Sequence, residues 1–199
     1  MDYYFRIPEN ITSFEDINIP KNITRIDCSS RNFTSFIGCP DHITHLICYD
    51  NQITSFEHLP NSIIKLDCSE NQLTSFEHLP NSIVKLDCID NQLTSFEHLP
   101  NSIIKLDCSH NQITSFEHLP KSIIELDFSY NRITSFKYLP NSIIDLFCVS
   151  NQITNFDYLP NSIRYLDCYD NQCYSIYREL GLEKIHEYNI PDIKEPEYD

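Results

Sequence analysis

Four histidines stand twenty residues apart, at His58, His78, His98 and His118, and each follows a glutamate: Glu57, Glu77, Glu97 or Glu117. Imidazole beside carboxylate is a ligand set that zinc or copper accepts. If residues twenty apart become neighbours, however, these side chains form a column pointing in parallel, whereas a tetrahedral site needs ligands that converge on one point. The column is therefore read as a solvated edge. Seven cysteines keep the same grid, at Cys28, Cys48, Cys68, Cys88, Cys108, Cys148 and Cys168, with Phe128 on the one remaining rung. Stacked thiols lie within disulfide range, but their parallel Cβ directions do not face one another as the bond requires. An inward thiol in apolar surroundings is also a poor nucleophile, because its pKa rises and reagents cannot reach it. Reduced packing thiols are expected, with no metal and no cofactor.

Charged residues follow the grid too. Lys65, Lys85 and Lys105 stand two positions before Asp67, Asp87 and Asp107. Columns of like charge, about 5 Å apart in a stacked sheet, are then partly neutralised by their neighbours. Further along, Glu125 and Asp145 replace lysine while Asp127 and Asp167 extend the acidic column, so the compensation stops.

The element that must position these columns is a coil of fixed length. One copy runs from Ile63 to Ser82, with apolar residues at Ile63, Leu66, Cys68, Leu73, Phe76 and Leu79, and with Asn71 three residues after the cysteine. Leu66 and Cys68 alternate with Lys65, Asp67 and Ser69, which predicts a short strand with two side chains inside and three outside. Asn51, Asn71, Asn91, Asn111, Asn131, Asn151 and Asn171 occupy the position where the chain leaves the strand. An amide there offers both donors and an acceptor to backbone groups that have lost their ladder partners. The arc that follows is too short and too proline-bounded for an α-helix, so extended or 3-10 backbone is expected.

This spacing resembles the leucine-rich repeat pattern LxxLxLxxNxL, in its short twenty-residue class with a Leu-Pro step. Its asparagine- and isoleucine-rich wording also resembles leucine-rich repeat proteins of amoeba-infecting giant viruses. The resemblance implies a solenoid with a parallel β-sheet on its concave face, an extended or 3-10 convex arc and about eight coils. At about 4.8 Å per strand, eight coils stack to roughly 40 Å. Residues 1–22 read as an N-terminal cap, because Arg31 stands in the asparagine position, Cys39-Pro40 replaces Leu-Pro, and the stretch after Phe14 is two residues longer than its counterparts. Residues 23–176 form the solenoid. Residues 177–199 read as a short capping helix followed by an acidic tail.

The bulk composition narrows the partners. A net charge of -15, from 29 acidic and 14 basic residues, repels phosphate backbones and anionic membranes and favours basic proteins. Met1 to Pro8 shows no basic start followed by an apolar run of secretory length, so a cytoplasmic, non-secreted protein is expected and the Asn-X-Thr sequons at Asn10, Asn22 and Asn32 are expected to stay bare. With glycine only at Gly38 and Gly181, phosphate-cradling loops have no material, and no GxSxG, P-loop, HExxH or dinucleotide fingerprint occurs. The chain is expected not to be an enzyme.

Between residues 125 and 169 several departures from the repeat coincide, and carboxylates surround aromatics, as at interface hot spots. The candidate partner-binding patch is Glu125, Asp127, Tyr130, Asp145, Phe147, Val149, Tyr165 and Tyr169. The expected function is capture of a protein with a basic or mixed basic-apolar surface on the concave sheet. If the giant-virus resemblance holds, that partner belongs to the infected host. The alternatives are drift within the repeat, which leaves the same trace at these positions, and a structural protein that self-associates or fills a particle.

Overall fold

The computed structural model describes residues 4–175 of the 199. Nine short parallel strands form one sheet in strict chain order. They are β1 (Phe5–Arg6), β2 (Arg25–Asp27), β3 (His45–Ile47), β4 (Lys65–Asp67), β5 (Lys85–Asp87), β6 (Lys105–Asp107), β7 (Glu125–Asp127), β8 (Asp145–Phe147) and β9 (Tyr165–Asp167). From β2 onward the register follows the period, so Leu46, Leu66, Leu86 and Leu106 stand opposite one another in sequence. β1 adds a strand within the residues read as the cap. Phe5 lies opposite Ile26, one residue more than the period, which absorbs part of the longer stretch after Phe14.

Packing follows from the repeat. Ile63, Leu66, Cys68, Leu73, Phe76 and Leu79 are all buried, as are their equivalents in the neighbouring coils. Phenylalanines stack along the convex side of the core, with ring centroids 6.5 Å apart for Phe76 and Phe96 and 6.4 Å for Phe96 and Phe116. Phe128, on the cysteine rung, is fully buried and meets Phe116 edge-on at 4.8 Å. The thiols of Cys68, Cys88 and Cys108 donate to the carbonyls of Asp87, Asp107 and Asp127 at 3.5, 3.3 and 3.3 Å. Burial pushes the Cys48, Cys68, Cys88 and Cys108 thiols well above the ordinary thiol range, which keeps them protonated and unreactive.

The asparagine rungs form a buried ladder. Asn91 Nδ2 donates to the carbonyls of Cys68, Cys88 and Ile89 at 3.1, 3.2 and 3.2 Å, and its Oδ1 accepts from Leu73 N–H at 2.9 Å. Arg31 takes the place of the first rung and donates instead to the carbonyls of Ile7, Ser29 and Ser30. A guanidinium has donors only, and here it closes the joint between the first coil and β1.

One feature departs from the sequence reading. Ser69 and its equivalents Ser29, Ser109 and Ser129 are buried rather than outward. The strand ends at the aspartate, whose carboxylate accepts the amide two residues on, at 3.2 Å for Ser69 and 2.8 Å for Ser129, and so turns the serine inward. The convex arc takes the extended one of the two forms expected of it, and the 3-10 helix, Phe14–Asp16, lies before the first coil. Each regular coil bends at two left-handed residues, exemplified by Glu70 (φ 52) and His78 (φ 65). Gly38 (φ 81) fills the His58 position one coil earlier. A Cβ there would come within 2.9 Å of Glu15, because the 3-10 helix packs against that turn. The capping helix expected after residue 176 and the acidic tail lie outside the described residues.

Candidate functional site

Each three-residue strand shows its first and third side chains on the concave face and buries its second. The register turns these into two rows across the coils. One row reads Lys65, Lys85, Lys105, Glu125, Asp145, Tyr165; the other reads Asp67, Asp87, Asp107, Asp127, Phe147, Asp167. Lys85 pairs with Asp87 at 3.1 Å within its strand, whereas Lys105 reaches across to Glu125 at 2.8 Å. Charge compensation therefore extends one coil further than the switch from lysine to glutamate implied.

A shallow depression of about 320 Å³ lies over the centre of these rows. It is lined by Lys85, Asp87, Lys105, Asp107, Glu125, Asp127 and Phe147, with Leu106 contributing to its floor. Beyond it, Phe147 and Tyr165 pack at 4.8 Å with their rings inclined by 42°. Tyr165 stands opposite Asp145 and Phe147 lies between Asp127 and Asp167 in the register, so carboxylates flank the ring pair on both rows. Burial raises the pKa of Asp127, opposed by hydrogen bonds from Ser129 and reinforced by Asp107 and Asp167. Burial also raises Asp145, with Glu125 adding to the effect and Lys105 and Arg164 opposing it. Asp87 is raised by burial against the pull of Lys85. A face whose carboxylates resist ionisation is one that an incoming cation stabilises.

The eight candidate residues divide in two. Glu125, Asp127, Asp145, Phe147 and Tyr165 share the sheet face, the two aromatics half-buried rather than fully exposed. Tyr130, Val149 and Tyr169 lie past the strands. Tyr130 sits at a left-handed bend (φ 57), half exposed, and stacks on His110 at 4.1 Å. Tyr169 meets Tyr174 edge-on at 5.3 Å, and Val149 is half-buried after the Cys148 rung. Lys85 and Lys105, assigned by sequence to a self-compensating face, belong to the same depression as Glu125 and Phe147. The signal for this was the grid itself, since Lys105 and Glu125 are one period apart.

The other columns offer less chemistry. His58, His78 and His98 pair with their own preceding glutamates at 3.7 to 3.8 Å on exposed turns. No group of three or more His, Cys, Asp or Glu residues could hold a metal ion among the described residues. No helix among them is long and apolar enough to cross a membrane.

The fold is a leucine-rich repeat solenoid, with almost no helix among the described residues. Solved structures of the same architecture include YopM from Yersinia enterocolitica WA-314, with a TM-score of 0.69 and 28% identity over 78% of this chain and 35% of that one. The leucine-rich repeat domain of a Shigella effector superposes with a TM-score of 0.61 and 25% identity, over 83% of this chain and 77% of that one. A functional domain of InlJ from Listeria monocytogenes, described as including a cysteine ladder, gives a TM-score of 0.54 and 25% identity over 75% of this chain and 40% of that one. The chain thus spans about a third of the YopM chain. No protein-family model and no curated protein matches the sequence.

Proposed function

We propose that this chain is a non-enzymatic, cytoplasmic protein-binding module that captures a partner with a basic or mixed basic-apolar surface on its concave sheet. The observation that carries this reading is the half-buried Phe147–Tyr165 ring pair flanked by Asp127, Asp145 and Asp167. Aromatic faces attract lysine or arginine through their quadrupole, and partly desolvated carboxylates complete the recognition of a cation. The architecture shared with bacterial leucine-rich repeat proteins supports a binding rather than a catalytic role. A partner from an infected host follows from the giant-virus resemblance alone.

Replacing Phe147 and Tyr165 together by alanine is expected to abolish partner capture in affinity purification from the native cell, while the far-ultraviolet circular dichroism stays that of the parent. Undiminished capture by the folded double variant removes this patch. Sedimentation separates the structural alternative, since a monomer at micromolar concentration fits capture and a concentration-dependent polymer fits self-assembly.

The raised carboxylates set the pH dependence. A group whose folded pKa exceeds its unfolded value binds its proton more tightly when folded, so its contribution to stability falls as the pH rises through that folded value. Asp87, Asp127 and Asp145 should therefore lower the urea midpoint as the pH climbs from the ordinary carboxylate value of about 4 through their raised values. Changing all three to asparagine should flatten that part of the profile. A bound cation reverses the preference, so partner affinity is expected to rise with pH across the same window; calorimetric titration at two pH values measures it.

A further inference from the structure

A row of exposed aliphatic side chains runs along the entrance to the concave sheet, one per coil. Ile64, Ile104 and Ile124 are 39%, 38% and 40% exposed, and the half-buried Val84 and Ile144 complete the row. In a regular strand the neighbour of an outward lysine points inward. Here the ladder breaks the alternation in every coil. Ile64 N–H and Lys65 N–H both donate to the Thr44 carbonyl, at 2.7 and 3.2 Å; Ile104 and Lys105 share the Val84 carbonyl, and Ile124 and Glu125 share that of Ile104. Two consecutive amides turn to one acceptor just before the regular pleat of Lys65–Asp67 begins, so Ile64 and Lys65 both face solvent. This shared acceptor accounts for an apolar row exposed beside the charged row of Lys65. Thr44 at one end and Arg164 at the other bound the row.

We infer that this row docks a basic amphipathic α-helix of a protein partner, laid along the solenoid axis; the inference rests on the concave-face reading above and names the partner's form. Spacing favours a helix. Coils repeat every 4.8 Å or so and a helical turn rises about 5.4 Å, so one apolar side chain per turn meets one aliphatic side chain per coil. Over four steps the mismatch grows to only about 2 to 3 Å. An extended segment laid the same way repeats its side chains every ~6.8 Å and is about 4 Å out of step by the third coil. Charge selects the flank. Across these five coils the two adjoining rows carry six carboxylates against three lysines, and Lys85 and Lys105 are already drawn onto Asp87 and Glu125. A basic flank is attracted there, whereas an acidic helix, or a second copy of this chain with its own net charge of -15, is repelled.

The test uses the full chain and three synthetic peptides of about fourteen residues, long enough to cross five coils. The first carries leucine once per turn with arginine on the adjoining stripe. The second has the same residues reordered so that neither stripe forms, and the third has glutamate in place of arginine. By fluorescence anisotropy the first is expected to bind at least about tenfold more tightly than the others, and Ile104→Glu or Ile124→Glu to weaken it about tenfold. Ile104→Ser serves as the variant if glutamate disturbs the fold seen by circular dichroism. Equal binding of the first two peptides, or binding unmoved by the folded isoleucine variants, overturns the proposal. If that happens while partner capture still depends on Phe147 and Tyr165, the aliphatic row is discarded and the concave-face reading stands; if capture is indifferent to both, both fall.

Discussion

Asn91→Leu is expected to destabilise the solenoid by about 2 to 4 kcal/mol. The side chain makes four hydrogen bonds in a buried corner; leucine orphans Leu73 N–H and takes one of two donors from each of the carbonyls of Cys68, Cys88 and Ile89, which keep Asn71, Asn111 and Glu70 N–H. An abandoned buried donor costs about 1 to 3 kcal/mol and each lost second bond about 1, and the apolar bulk of leucine offsets part of the total. Asn91→Asp tests the cause. It preserves shape and acceptor but removes the amide donors, placing a carboxylate against three carbonyl oxygens. Its loss should be at least as large at neutral pH and should shrink on acidification, because the protonated acid regains one donor; the sign is that of a raised folded pKa. Asn171, half-buried on the last described rung, should cost less when changed to leucine. Urea denaturation of the four proteins measures all of this, and equal losses at Asn91 and Asn171 would contradict the dependence on burial.

Phe96→Ala is expected to cost about 3 to 5 kcal/mol. Its ring is fully buried and lies between Phe76 and Phe116 at 6.5 and 6.4 Å, so truncation opens a cavity that the coils on both sides share. In a repeat array each unit is stabilised chiefly by its nearest neighbours, and a weak central coil uncouples the two halves. The denaturation curve should therefore broaden or become biphasic as well as shift, a departure from two-state behaviour. The same change at the half-buried Phe156 should be milder and leave the transition single. A central variant that merely shifts a sharp transition would show that cooperativity spans the array by another route.

The period carried most of the architecture. Because residues twenty apart are true neighbours, the register of β2 to β9, the inward Leu66 and Cys68, and the asparagine ladder were all legible from spacing alone. What escaped depends on backbone geometry that side-chain type does not encode. Ser69 turns inward because Asp67 captures its amide, an interaction invisible to a period-two pattern. Non-glycine residues at the two left-handed bends gave no compositional signal, since histidine, tyrosine, aspartate and glutamate all occupy them. The shared carbonyl at each strand entrance hid the aliphatic row, because Ile64 beside Ile63 reads as one apolar run. At the candidate site the strand residues were legible from their departures from the repeat, whereas Tyr130 and Tyr169 were grouped with them by type and lie beyond the sheet. Lys105 was set aside because it matched the repeat, although its partner Glu125 was the departure.

The asparagine ladder also gives the molecule a direction. Asn91 bonds Leu73 N–H and the Cys68 carbonyl, both in the coil before it, and Asn111 does the same for Leu93 and Cys88. A coil is thus finished by the next one to be made, and a chain emerging from the ribosome always carries one unfinished corner at its growing end. Removing or duplicating a whole unit of twenty residues leaves a single such corner wherever the array stops. Gene rearrangements in steps of one repeat can therefore lengthen or shorten the molecule without redesigning any joint.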